Sequence, residues 1–68
     1  MITRSLTTEE MMIARLVSRG RTNAEIATAL GKGIGTTRNQ LRTVLLKLGL
    51  RNRAMLAAWY AAQSGNVR

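Results

Sequence analysis

Three side chains with recognition chemistry lie close together in the middle of the sequence: Arg38, Asn39 and Arg42. At helical spacing they share one face, and Arg38 and Arg42 lie one turn apart, where two like charges cost roughly a few tenths of a kcal/mol. A polyanion offsets that cost, and Arg and Asn are the side chains that read base edges in the major groove of DNA. Apolar residues occupy the other side of the same stretch and predict a packed face: Ile34, Leu41, Val44, Leu45 and Leu48.

The composition limits what else the chain can be. Its 68 residues allow one small domain, and a net charge of +8 indicates an anionic partner such as nucleic acid or a membrane surface. A hydrophobic fraction of 46% is too high for a disordered basic tail, and no apolar run approaches the ~20 residues of a membrane span. The sequence has no Cys and no His, so we expect no metal, no cofactor and no enzyme activity. Without a hydrophobic signal core near residue 1, we expect a cytoplasmic protein.

Two capping boxes mark the first two helices. Thr7 with Glu10, and Thr22 with Glu25, have the spacing at which each side chain bonds the backbone N–H of the other residue. The first helix is then expected to end near Arg19, while the second is short. The sequence has three acidic residues, and each lies near a predicted helix start, where the helix dipole favours negative charge. We therefore assign the acidic residues to capping.

A glycine-rich break at residues 31–35 separates the second helix from the third. The third helix is predicted over about 34–47, with Gly49 as a left-handed cap. Asn52 can cap a fourth helix over about 53–63. The apolar spacing is three to four residues throughout, whereas a strand would need an alternation of two.

These elements predict an all-α domain of four helices in which the second and third form a helix-turn-helix. In that motif the later helix enters the major groove and the earlier one crosses the DNA backbone. We expect the domain to occupy residues 1–68, with a core of about 6–64 and loose ends at 1–5 and 65–68. Beyond the last acidic residue, three cations are candidates for phosphate contacts: Lys47, Arg51 and Arg53.

The order of these motifs resembles the LuxR/GerE/NarL type of DNA-binding domain in bacterial transcription regulators. Residues 20–30 read Gly-x-Thr-Asn-x-Glu-Ile-Ala-x-x-Leu, residues 36–40 read Thr-Thr-Arg-Asn-Gln, and residues 47–53 read Lys-Leu-Gly-Leu-x-x-Arg. The register runs without a gap from Thr7 to Ala58. The resemblance implies a winged-helix-free, response-regulator-like domain that binds double-stranded DNA and regulates transcription. Such domains usually follow a receiver or ligand-sensing domain, so we expect either an excised module or a stand-alone regulator.

The resemblance also implies roles for individual residues. Three match positions that commonly meet bases: Arg38, Asn39 and Arg42. Four match positions that commonly meet phosphates: Thr22, Asn23, Thr36 and Lys47. Two lie on the fourth helix, the element that often pairs two copies of the domain: Leu56 and Trp59. The implied partners are DNA, a second copy of the chain, and RNA polymerase or another regulator protein.

Several residues of the third helix depart from the family pattern. Gly33 replaces a Ser that would cap the helix, and Gly35 places a flexible residue in its first turn. Thr37 replaces Val and brings a hydroxyl near the core, while Gln40 stands where His is usual. Leu46 is apolar where the pattern is polar. We expect the start of this helix to be frayed until DNA or a partner orders it.

Other functions stay open on the sequence alone. A protein-interaction module on the same fold would account for these departures and would show no DNA affinity at low salt. A membrane-surface peptide would need one strongly basic amphipathic helix, whereas the basic residues here are spread over several capped segments. A promoter-reading domain of a sigma factor shares the helix-turn-helix, but the Leu-Gly-Leu-x-x-Arg closure favours the LuxR type.

Overall fold

The computed structural model describes residues 6–65, with side chains described over residues 6–63. Within that part the chain forms four α-helices and no strand: α1 (Thr8–Ser18), α2 (Asn23–Leu30), α3 (Ile34–Leu48) and α4 (Arg53–Gly65). The predicted all-α class is confirmed. Residue 65, predicted as part of a loose end, belongs to α4, and the predicted ends at 1–5 and 66–68 lie outside the described residues. None of the described helices combines the length and the hydropathy needed to cross a membrane.

Both predicted capping boxes are present. The Thr7 hydroxyl accepts from the Glu10 backbone N–H at 3.0 Å, and the Glu10 carboxylate accepts from the Thr7 N–H at 2.9 Å. Thr22 and Glu25 repeat the arrangement at 3.1 and 2.9 Å. α1 and α2 therefore begin where local side chains satisfy backbone groups that the helix itself leaves without a partner.

Glycine bounds α3 at both ends. Gly33 is the N-terminal cap and offers no side-chain acceptor, yet the helix is formed from Ile34 onward. Gly49 lies in the left-handed region with φ of 69°, and its N–H donates to the last carbonyls of the helix, as the sequence predicted. Asn52 caps α4 by accepting from the Met55 N–H at 2.9 Å. These caps determine where α3 stops and where α4 starts.

The core lies between α1 and the other three helices, all of which contact it. Seven residues form its buried cluster: Ile13, Ala14, Val17, Ile26, Leu41, Val44 and Leu56. α2 also packs against α3, so the helix-turn-helix pair has α1 behind it. The half-buried Trp59 and Tyr60 of α4 pack against the same cluster. The core thereby turns one face of α3 inward and leaves the opposite face exposed.

Two placements made from the sequence are wrong. Leu56, assigned to a dimer contact, is 0% exposed and belongs to the buried cluster, because it is the bulky residue on the inward side of an Ala-rich helix. It offers no surface to a second copy of the folded domain. Ile34, assigned to the packed face of α3, is 43% exposed because it lies at the edge of that face, in the first turn of the helix.

Candidate nucleic-acid interface

The outer face of α3 carries the three residues predicted to read bases. Arg38, Asn39 and Arg42 are all exposed. Neither arginine forms an ion pair within the described residues, where the ion pairs use Lys32 and Lys47 instead. The guanidinium groups are therefore not folded back onto an acid of the domain, and their donors are accessible to a ligand.

The carboxylate of Glu9 holds the other side of α3 and the turn before it. Its Oε1 accepts from Lys32 Nζ at 2.9 Å and from Gln40 Nε2 at 3.0 Å. The hydrogen bond from Lys32, followed by the one from Gln40, lowers the pKa of Glu9 below its ordinary value of 4.5. Glu9 thus links α1 to the α2–α3 turn and to α3, a role that the sequence analysis missed because it assigned the acids to capping.

The carboxylate of Glu10 fixes the C-terminal end of α3. Lys47 Nζ donates to both of its oxygens, at 2.8 and 3.0 Å, while the same carboxylate caps Thr7. The hydrogen bond from Lys47 is the main cause that lowers the pKa of Glu10 below its ordinary value of 4.5. Lys47, predicted as a phosphate contact, is therefore held against α1 and has its charge neutralised locally.

Two other predicted phosphate contacts are joined to each other. Arg53 donates through one terminal nitrogen to the Asn23 side-chain oxygen at 2.6 Å, and through the other to the Arg21 carbonyl. This arrangement ties the start of α4 to the start of α2. A guanidinium has five N–H donors and the Asn23 amide has two, so both side chains keep donors for a phosphate.

The remaining predicted phosphate contacts are exposed. Thr22 accepts the capping bond of α2 but keeps its own O–H as a donor. Thr36 lies in the first turn of α3, and Arg51 lies in the connection between α3 and α4. The structure therefore brings Thr22, Asn23 and Arg53 together at one helix start and leaves the other two apart from them in the chain.

The inner face of α3 has two polar atoms without partners. Thr37 is fully buried, as its position near the core predicted, and its hydroxyl has no hydrogen-bond partner. The Gln40 Oε1 atom is also buried without a partner, although its amide nitrogen bonds Glu9. A buried polar group left in this state costs about 1–3 kcal/mol. The family pattern has Val in place of Thr37, so the sequence did contain a signal for this cost.

Comparison with known proteins gives one family and one relative. Residues 4–60 match the GerE family model, described as bacterial regulatory proteins of the luxR family. The chain is similar to the response regulator RamR of Streptomyces coelicolor, with 46% identity over 48 residues that cover 71% of this chain and 24% of the relative. The match therefore spans about a quarter of that curated relative. No solved structure matches the chain.

Proposed function

This chain belongs to the luxR family of bacterial regulatory proteins, a family of DNA-binding transcription regulators, and we propose that it reads duplex DNA by inserting α3 into the major groove. The observation that carries this proposal is the exposed outer face of α3, where Arg38 and Arg42 have no acidic partner in the described part of the chain. α1 supports the helix from the opposite side. A helix held in this way presents a rigid cationic face to the groove.

The base-reading residues in this proposal are Arg38, Asn39 and Arg42. Arg suits the two acceptors of guanine and Asn suits the donor and acceptor of adenine, and a good bidentate pair contributes about 1–3 kcal/mol of discrimination. Phosphates are bound at the start of α2, where Thr22, Asn23 and Arg53 adjoin the backbone N–H groups of a helix terminus. Thr36 and Arg51 extend that contact. Lys47 contributes less because it remains paired with Glu10.

Arg42→Ala tests the assignment directly. Duplexes selected by the wild-type chain from a random pool are compared with random duplexes at two salt concentrations. We expect Arg42→Ala to weaken binding to the selected duplex by roughly 5- to 150-fold and binding to random duplexes much less. For the wild-type chain, log affinity should fall by about 0.9 for each phosphate neutralised per decade of salt.

Arg15→Ala is the matched control, because it removes the same charge from an exposed position on α1, beside Tyr60 of α4. Its effect should be equal for selected and random duplexes. Equal losses on the two duplexes for Arg42→Ala would reject the base-reading role. Absence of any DNA affinity at low salt would favour the protein-interaction module instead.

A homodimer through α4 is part of the proposal. With Leu56 buried, the exposed side of α4 is formed by other residues: Ala54, Met55, Ala58, Ala61 and Ala62. Trp59 is half-buried and contributes its exposed part at most. The selected duplexes provide the test, because a dimer predicts a palindrome with half-sites about one helical turn apart and a monomer predicts a single half-site.

The remaining features follow from regulation at DNA. We propose a cytoplasmic, non-enzymatic domain whose further partner is RNA polymerase or another regulator protein. The net charge of +8 supports rapid, salt-sensitive association with a polyanion. Comparing operator-dependent transcription with and without the chain, using purified polymerase and a template that carries the selected duplex, tests this step.

A further inference from the structure

The outermost line of α3 contains a residue outside the base-reading set. At about 100° per residue, four residues lie within an arc of about 60°: Gly35, Asn39, Arg42 and Leu46. Leu46 has 74% of its surface exposed, more than the other exposed large apolar residues of the described chain. Its neighbours Leu45 and Leu48 instead pack partly against the core. Leu46 therefore contributes nothing to the packing of the domain.

A single exposed leucine is ordinary on a protein surface, so exposure alone indicates no function. The position of this leucine does, because Leu46 continues the same line as Asn39 and Arg42. Asn39, Arg42, Thr43 and Leu46 have offsets of zero, three, four and seven. A homeodomain recognition helix reads the major groove with residues at the same offsets. A helix that presents Asn39 and Arg42 to base edges consequently presents Leu46 to the same groove.

The groove offers one apolar group to such a side chain, the 5-methyl group of thymine. Leu46 lies four residues beyond Arg42, about 6 Å along the helix axis. That distance is close to two base-pair steps of about 3.4 Å each. Resting on the proposed function, we propose that Leu46 is a fourth base-reading residue, which contacts a thymine methyl about two base pairs beyond the pair read by Arg42.

The test removes the methyl group without changing any hydrogen-bonding atom. In a duplex selected by the wild-type chain, each fixed thymine is replaced in turn by deoxyuridine, and the affinities of the wild-type and Leu46→Ala chains are measured. At one thymine we expect the wild-type affinity to fall about fourfold, the effect of losing one buried methyl group. The Leu46→Ala chain should be indifferent to that replacement. Its binding to random duplexes should match that of the wild-type chain.

Met12→Ala is the matched control, since it truncates an apolar residue with 40% exposure on α1. It should keep the wild-type response to deoxyuridine. Circular dichroism melting should be unchanged for Leu46→Ala, because the side chain is not packed.

The inference is overturned if the selected duplexes contain no fixed A·T pair, or if deoxyuridine affects the wild-type and Leu46→Ala chains equally. It is also overturned if Leu46→Ala weakens selected and random duplexes alike. These outcomes leave the proposed function standing. Absence of selective DNA binding by the wild-type chain would remove the proposed function and this inference together.

Discussion

The two faces of α3 treat positive charge differently. On the side toward α1, Lys47 donates to both carboxylate oxygens of Glu10, and Gln40 donates to the Glu9 oxygen that also binds Lys32. On the outer face, Arg38 and Arg42 have no acidic partner among the described residues. The sequence has three acids for eleven Lys and Arg residues, so most cations must do without an ion pair.

This difference separates cations that hold α3 in place from cations that are available to a ligand. Two of the three acids contact side chains that fix α3 or the turn before it, and the third, Glu25, caps α2. The residues of the inner side should therefore control the stability of the domain. Those of the outer face should control DNA binding with little effect on stability.

Acidification is expected to give the largest effect, because it removes the contacts of Glu9 and Glu10 together. Both pKa values are lowered below 4.5 in the folded chain, so the unfolded chain binds more protons in that range. Their contribution to stability is complete above about pH 4.5 and is lost as the pH falls through the lower folded values. Urea unfolding between pH 7 and pH 3 should show a falling free energy of unfolding.

The matched control for acidification is a chain with both Lys32→Ala and Lys47→Ala. Its carboxylates lack the donors that come first among the causes of the lowered pKa values. Its free energy of unfolding should therefore fall less over the same pH range. An equal fall would mean that general charge repulsion, rather than these two contacts, causes the loss.

Lys47→Ala is expected to be the next largest effect and distinguishes the two faces most directly. The change leaves the largely buried Glu10 carboxylate without its main donor, at a cost of about 1–2 kcal/mol. For a domain of this size the melting temperature should fall by roughly 5–15 °C. Thermal unfolding followed by circular dichroism measures this change.

Arg42→Ala is the control for Lys47→Ala, because it removes a cation from the outer face of the same helix. It should leave the melting temperature nearly unchanged while it weakens specific binding. A stable Lys47→Ala chain whose DNA affinity falls equally on all duplexes would instead support the phosphate contact that the sequence predicted for Lys47.

Local signals explain what the sequence predicted well. The capping boxes at Thr7 and Thr22, the left-handed Gly49 and the Asn52 cap each involve residues three or four positions apart. Helical periodicity likewise separates the two faces of α3, so the exposure of Arg38 and Arg42 followed from the sequence. These features do not depend on how the helices pack.

Contacts between helices were missed for the opposite reason. The Glu9–Gln40, Glu10–Lys47 and Arg53–Asn23 pairs join residues 31, 37 and 30 positions apart. No periodicity links such positions, because their contact depends on the packed arrangement of the helices. Leu56 was misassigned for a related reason, since the many alanines of α4 leave its inward side undefined until α1 packs against it.

Thr37→Val is expected to give the smallest of these effects and has the opposite sign. The fully buried Thr37 hydroxyl has no partner, so replacing it with a methyl group of similar size removes a desolvation cost. We expect the free energy of unfolding to rise by about 1 kcal/mol, measured by urea denaturation. DNA affinity should stay the same because Thr37 lies on the inner face of α3. If Thr37→Val lowers stability, the hydroxyl has a partner, such as a bound water, and the inner face is better satisfied than its side-chain contacts indicate.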